Sequence, residues 1–473
     1  MQGAMTVSLD QSTTTVVAGE DAGPVQEDPD PGRRRRPAGR WAPRDLTPDA
    51  RFWLCMAAAV GLGAVVRFEY LFHAAPVLVK GDGLDYFLVA QRLADGLGFT
   101  GHLGVEGAQY AHHPPGWLLV LAAVAKLGAG SMRAAQVTGL VLGLGVILMA
   151  GLVGRRFAGR RVGVVAALLA ALYPGFWVID VQILSEPLGL VVLGLLTLVL
   201  ADLWERPTLV RALLAGGILG VLGLVRGEEL ALLALAVAPI LLLNRRLDVT
   251  RRFALLGASA AMVMVVIAPW TIYNLGRFEE PVILSTNVGP TILSGNCPPK
   301  TYRGEYMGGF EARCVYAVAM QNPGLDASQL DVKTRAAAID NMSDYTRSLP
   351  AAVLARHGRL LAVYRPAQTV QIDADWYGAA RWPVWAWVAS YWLLVPLAVA
   401  GGVILRRSRR FQWPLVAPAV LVVLLTTVTF GDPRYHIMAD LGVVVLVAVA
   451  VCEVVRRGQR RTDAVGEVVS PAS

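Results

Sequence analysis

Charge is scarce in this sequence. Asp, Glu, Lys and Arg make up 16% of its 473 residues, against about 25% in an ordinary soluble domain. Together with a hydrophobic share of 55% and a mean hydropathy of +0.51, that shortfall excludes a disordered or collagen-like chain and points to a polytopic membrane protein. Cysteine is scarce too, and four residues exclude a disulfide-dense secreted scaffold. No internal repeat of fixed period is present, which argues against the inverted-repeat transporters. No strong metal-ligand set is present either, so no metal residue is assigned. The net charge of 43 − 35 = +8 sits mostly in links between apolar runs. We read it as membrane topology, with no nucleic-acid partner expected.

What is present is a series of apolar runs. A spanning helix needs about 20 mainly apolar residues, and ten runs approach that, at 52–72, 134–154, 161–179, 184–203, 211–226, 228–244, 253–274, 384–405, 412–430 and 435–455. Clusters at Arg33–Arg36, Arg155–Arg161, Arg206–Arg211, Arg245–Arg252, Arg406–Arg410 and Arg456–Arg461 all fall on one side if all ten span. The positive-inside rule makes that side cytoplasmic. Trp117–Leu127 is too short to span and reads as a helix lying at, or re-entering, the outer surface. The expected organisation is a disordered cytoplasmic tail over 1–50 and a transmembrane module over 51–274 that includes a first outer loop, 73–133. An extracytoplasmic segment of mixed structure over 275–383, C-terminal spans over 384–455 and a cytoplasmic tail over 456–473 complete it.

Ionisable groups at membrane depth are costly and mark function. Asp82 and Asp85 follow the first run, and Glu186 opens the fourth. Arg226 and Glu228 join the fifth and sixth, while Asp432, Arg434, His436 and Asp440 open the tenth. All sit at the predicted outer ends, so the unusual charges converge on one face. Each also has a structural explanation. Asp82 could cap a surface helix, and Asp85 could complement its dipole. Arg226, Glu228 and Arg434 could snorkel to the interface. Asp202 and Glu205 are assigned to ordinary pairing. His112-His113-Pro114-Pro115 forms a rigid approach to the next segment, suited to a metal or to a phosphate. Asp373-Ala374-Asp375 reads as a loop or juxtamembrane feature. Cys297 and Cys314, seventeen residues apart, lie in the second outer segment and are expected to pair, closing a loop worth roughly 3 kcal/mol. Cys55 and Cys452 lie inside spans and are expected to be inert core residues.

Several short motifs follow in order: Gly81-Asp82 leading into an amphipathic helix, Pro114-Pro115, Ser185-Glu186-Pro187-Leu188 and Leu224-Val225-Arg226-Gly227-Glu228. Ala268-Pro269-Trp270-Thr271-Ile272-Tyr273-Asn274, Ser285-Thr286-Asn287-Val288-Gly289 and Asp432-Pro433-Arg434-Tyr435 complete the set. Over about 52–455 the chain resembles the bacterial branch of the dolichyl-phosphate-mannose protein mannosyltransferase superfamily. These GT-C membrane glycosyltransferases include the lipid A aminoarabinose transferases. The resemblance implies an all-α, GT-C type polytopic fold of about ten transmembrane helices with outer amphipathic helices, in the plasma membrane as part of the cell envelope. It implies transfer of a hexosyl or pentosyl unit from a polyprenyl-phosphate sugar donor to an extracytoplasmic protein, lipid or glycan acceptor, with inversion. Asp82 would be the catalytic base, and Asp85, Tyr86, His112, His113, Glu186, Arg226, Glu228 and Arg434 would bind substrate. His113 stands where the superfamily usually has Arg or Lys against the donor phosphate, and Arg226 or Arg434 are the alternatives. No cofactor is certain, and a divalent metal stays open. The competing reading is a transporter or flippase for a lipid-linked or polar solute.

Overall fold

The computed structural model describes residues 47–102 and 105–469. The tail expected over 1–50 falls almost wholly outside them. The chain enters α1 (Pro48–His73), whose first turn is capped by Thr47 Oγ1 accepting from the Ala50 N–H at 3.2 Å. Next come α2 (Gly81–Ala94), an antiparallel hairpin of β1 (Thr100–His102) and β2 (Val105–Gln109), and α3 (Pro115–Lys126). The hairpin departs from the all-α expectation. Its glycines, Gly101 and Gly107, both adopt positive φ. Helices α4 (Met132–Ala158), α5 (Arg160–Leu172), α6 (Pro174–Asp180), α7 (Glu186–Glu205) and α8 (Leu209–Val225) follow. Between α8 and α9 (Ala238–Leu242) the chain winds through a 3₁₀ turn, Gly227–Ala231, and a π turn, Leu233–Val237. Helix α10 (Val249–Leu275) leads into a group of shorter helices, α11 (Val288–Gly295), α12 (Arg313–Gln321), α13 (Ala327–Asp344), α14 (Leu349–Leu360) and α15 (Pro366–Tyr377). Helices α16 (Arg381–Arg407), α17 (Trp413–Val428) and α18 (Ile437–Val469) close the bundle, α18 being preceded by a 3₁₀ turn, Pro433–His436.

Each of the ten apolar runs is helical. Six helices, α1, α4, α7, α10, α16 and the Pro433–Gln459 stretch, are long and apolar enough to cross a membrane. The α5–α6 pair makes a seventh, bent by 54° where Pro174 follows Tyr173. Helices α8 and α17 are shorter, and the 228–244 run is the interrupted 3₁₀, π and α stretch. The chain is thus a multi-pass helical membrane protein. Helix α3, with 12 residues, is too short to span at about 1.5 Å per residue. The 275–383 segment, expected to be mixed, contains helices and loops and no strand among the described residues. Helix α18 runs past the expected end of the last span, so the 456–473 segment is helical through Val469. Phe68, Val265 and Leu393 are large, exposed and apolar on α1, α10 and α16, as side chains that meet lipid are. Cys55 is exposed and Cys452 half-buried, so neither is a core residue.

A buried ion pair ties the bundle together. Arg67, in the last third of α1, donates from Nε to Asp180 Oδ2 at 2.7 Å, and both side chains are fully enclosed. Arg67 also donates to the Ala171 carbonyl at 3.2 Å. Gly143 on α4 leaves the space this pair fills, since a Cβ there would lie 2.0 Å from Asp180 Oδ2. The sequence reading does not single out Arg67.

Charges gather at the two ends of α7, which are separated by roughly 30 Å for a helix of this length. At its C-terminal end Arg156 of α4 pairs with Asp202 at 2.9 Å and with Glu205 at 2.8 Å. Nearby, Arg155 and Arg160 reach Asp49 at the start of α1, at 2.9 and 3.0 Å. These are the ordinary pairings expected for Asp202 and Glu205. The other end carries the unusual charges.

Candidate functional site

Helix α2 begins at Gly81 with φ +56°, a conformation suited to glycine, and Lys80 is its N-cap residue. Asp82 therefore does not cap the helix. Its carboxylate projects from the first turn and accepts from Arg434 Nη1 at 2.6 Å. Arg434 comes from the 3₁₀ turn ahead of α18, where Asp432 Oδ1 accepts from the Arg434 N–H at 2.8 Å and fixes the turn. Arg434 Nε also donates to Glu186 Oε1.

Glu186 opens α7 and is fully buried. Its Oε1 is shared with Arg226 Nη1 at 2.9 Å, and Arg226 Nη2 reaches Glu228 at 2.6 Å. Arg226, just past α8, also donates to Ser185 Oγ at 3.3 Å. The turn that delivers Ser185 and Glu186 is strained. Ile183, a β-branched residue, sits at φ +58°, an arrangement that costs of order 1–3 kcal/mol. Its carbonyl accepts from the buried Trp117 Nε1 at 2.9 Å, so α3 holds the strained turn in place.

The result is a continuous chain of alternating charge, Asp82–Arg434–Glu186–Arg226–Glu228, drawn from four separate segments. Its middle is enclosed and its ends are open: the Asp82 and Glu228 side chains are 31% and 34% exposed. Burial works to raise the Asp82 carboxyl. The Arg434 guanidinium against it, helped by His113 and His112, overrides burial and holds it well below the usual carboxylate range.

The other predicted residues line the same wall one layer further in. Asp85 is buried and accepts from the Tyr110 hydroxyl at 2.8 Å. His113 Nε2 lies 3.9 Å from the same Asp85 oxygen. Tyr86 stacks on the His113 ring at 4.3 Å, and His112 packs edge-on against it at 4.6 Å. Cys297 and Cys314 are joined in a disulfide.

Four features were not picked out as site residues from the sequence. Asp373, read as part of a loop, lies on helix α15 and is buried, and its Oδ2 has no hydrogen-bond partner among the described residues. Burial and the neighbouring Asp432 push its carboxyl well up, and Asp432 is raised in turn, chiefly by burial. Glu229 is buried beside Glu228 and Arg226. His436 and Asp440, paired at 2.9 Å, meet the Tyr173 hydroxyl, which donates to Asp440 at 2.8 Å. Tyr391 stacks on His436 at 3.7 Å. This last network braces the turn that carries Arg434. Its i, i+4 spacing was legible, but its partners at the α5–α6 junction and on α16 were not. Among the described residues no three His, Cys, Asp or Glu side chains are grouped to hold a metal ion.

An apolar groove of about 470 Å³ lies between α7, α8 and α10, lined by Val192, Leu195, Leu214, Val221 and Met262 among others. Val221 stands five residues before Arg226, roughly 7.5 Å along the helix, so the groove approaches the charge chain from the membrane side.

Residues 112–273 match the family described as dolichyl-phosphate-mannose-protein mannosyltransferase. That stretch contains His112, His113, Glu186, Arg226 and Glu228 but not Asp82 or Arg434. No curated protein matches the sequence significantly. Among solved structures, the archaeal oligosaccharyltransferase AglB from Archaeoglobus fulgidus, in complex with an inhibitory peptide and a dolichol-phosphate, superposes with a TM-score of 0.51 at 13% identity. The match covers 90% of this chain and 53% of that one. The apo form of the Archaeoglobus fulgidus oligosaccharyltransferase gives a TM-score of 0.51 at 14% identity, covering 89% and 52%. ArnT from Cupriavidus metallidurans, bound to undecaprenyl phosphate, gives 0.44 at 15% identity, covering 86% and 78%. The chain thus spans about half the length of the archaeal enzyme whose fold it shares. The GT-C resemblance read from the sequence holds in the fold and in the mannosyltransferase stretch.

Proposed function

We propose that this GT-C chain is an integral-membrane glycosyltransferase that moves a sugar from a polyprenyl-phosphate donor to a hydroxyl acceptor outside the cytoplasm. The observation that carries the reading is the Asp82–Arg434–Glu186–Arg226 chain: one partly exposed carboxylate and two guanidiniums at one end of the helices. In the proposed topology all ten apolar runs cross the plasma membrane. The arginine clusters and both termini face the cytoplasm, and the charge chain faces outward. The convergence of Asp49, Arg155, Arg156, Asp202 and Glu205 at the opposite end supports this sidedness.

The donor's lipid tail would lie in the apolar groove, with its phosphate reaching Arg226 and Arg434. Each guanidinium already holds carboxylates, so the phosphodiester competes for them. As Arg434 turns toward phosphate it releases Asp82, whose carboxyl then rises toward its ordinary value and becomes a better base. The acceptor oxygen attacks the anomeric carbon while its proton passes to Asp82. The bond from that carbon to the phosphate oxygen breaks, and polyprenyl phosphate leaves stabilised by the two arginines. Attack opposite the leaving group inverts the anomeric configuration. Asp85, His113 and Tyr86 form the inner wall on the Asp82 side, where His113 offers a third contact for phosphate.

The test is mass spectrometry of polyprenyl-phosphate sugars in a native lipid extract incubated with nanodisc-reconstituted protein. Wild type should consume one sugar-lipid and release polyprenyl phosphate, and Asp82→Asn should do neither. If wild type leaves every such lipid intact with acceptors present, the transferase reading falls and a flux assay for a transporter follows.

A further inference from the structure

A row of aromatic rings starts against the first residue of α2, beside Asp82. Trp376, on the last turn of α15, packs its indole against Gly81: a Cβ at Gly81 would lie 2.5 Å from Trp376 Nε1. Trp376 is nonetheless 42% exposed, so a face of the ring is open to a ligand. From Trp376 the rings continue in contact. Phe310 meets Trp376 at 5.4 Å and Phe430 at 5.1 Å, and Phe430 meets Tyr435 at 5.1 Å. The row thus runs from the residue before Asp82 to the residue after Arg434.

Phe310 is held there by covalent and backbone constraints. It lies inside the loop closed by Cys297–Cys314. The adjoining Gly308 carbonyl accepts from the Gly431 N–H at 2.9 Å, and the Glu311 N–H donates to Ser294 at 2.9 Å.

Asp373 stands three residues before Trp376 on the same helix, and so on the same face. It is 4% exposed, its Oδ2 has no partner among the described residues, and its electrostatic neighbours are Asp432, Arg359 and Arg434. A buried carboxylate oxygen left without a donor is costly. One that faces the charges of a cleft is poised for a donor brought by a ligand.

We infer that Trp376, with Asp373 and Asp432 beside it, is an acceptor subsite for a carbohydrate, so that the sugar is transferred to a glycan. A sugar ring brings both complements at once: a C–H face that lies flat on an indole, and a rim of hydroxyls that donate to carboxylates. A serine or threonine side chain brings only the hydroxyl. Stacked on Trp376, the ring has its next hydroxyl within reach of Asp82, whose helix begins against that indole. This inference rests on the reading of Asp82 as the base, and it names the acceptor class.

The test is direct binding, without donor, to the full-length protein in nanodiscs. The probes are short gluco-, manno- and arabino-oligosaccharides and a Ser/Thr-containing peptide, followed by saturation-transfer NMR and titration calorimetry. At least one oligosaccharide should bind wild type saturably. Trp376→Ala should weaken that binding by about tenfold, the loss expected for one aromatic stacking contact. Trp376→Phe should restore most of it, and Asp373→Asn should weaken it without lowering the melting temperature. The inference is overturned if no oligosaccharide binds, if binding is indifferent to Trp376, or if the peptide binds in a Trp376-dependent manner instead. Because the assay needs no donor, it stays readable if wild type transfers nothing: that result overturns the transferase reading, whereas absent or Trp376-independent oligosaccharide binding overturns this one.

Discussion

Two of the buried charge clusters in this protein are built differently. Arg67 and Asp180 form a closed pair, each partner almost wholly enclosed and fitted against Gly143. The Asp82–Glu228 chain is open. Its two arginines are each divided between two carboxylates, and its ends reach solvent. A closed pair is sealed from any ligand, with both side chains out of reach of solvent. A shared guanidinium can exchange one oxygen for another at little cost, because an arriving phosphate replaces a carboxylate like for like. The first arrangement holds helices together, and the second is fit to hold a substrate.

Substitutions can break or sharpen this contrast. The largest effect is expected for Asp82→Asn, with transfer falling by about 10²–10⁴-fold, the usual worth of a general base. Its melting temperature should stay near wild type, and if most of the transfer survives, another base is at work. Arg434→Gln should cost about 10²–10³-fold in transfer, as for loss of one donor to a developing anion. It should also move the acid limb of the pH–rate profile upward, since Asp82 loses the cation that depresses it. An unmoved limb in the residual activity would separate Arg434 from Asp82. For the closed pair, Arg67→Met should destabilise by about 3–5 kcal/mol by stranding the Asp180 charge. Replacing both partners with apolar residues of similar size should recover most of that. Chemical or thermal unfolding of the single and double variants reads this directly, and a double variant as unstable as the single one would argue for a role beyond packing.

The smallest effect is at Asp373. Its folded-state value lies above the ordinary one, so its contribution to stability is present below about pH 4 and is lost as pH rises through the raised value. Asp373→Asn removes that dependence, and the variant's melting temperature should gain on wild type as pH increases. A gap constant from pH 5 to 8 would show that Asp373 is not held protonated.

Much of the open chain was legible because charge at the ends of apolar runs is expensive and therefore conspicuous. Asp82, Glu186, Arg226, Glu228 and Arg434 stood out for that reason, and the structure brings them into direct contact. The role of Asp82 in its helix was misread, since an acid after glycine looks like a cap until Arg434 claims it. Arg67 carried the same signal, a charge within an apolar run, but its partner lies 113 residues further on and spacing offers no way to join them. Asp373 was illegible for a different reason: in a polar segment a carboxylate is unremarkable, and only its place beside Arg359 and the Asp432 turn makes it buried. The broken helix over 227–242 also escaped the hydropathy pattern, because apolar residues suit 3₁₀, π and α windings alike.

The contact between Asp82 and Arg434 spans 352 residues of sequence. At the usual pace of synthesis of about 5–20 residues per second, the ribosome makes the carboxylate on the order of half a minute before the guanidinium that partners it. Through that interval the cluster has its Glu186–Arg226 centre but lacks the last member, and no partially inserted chain has a complete site. Competence therefore arrives with the final helix.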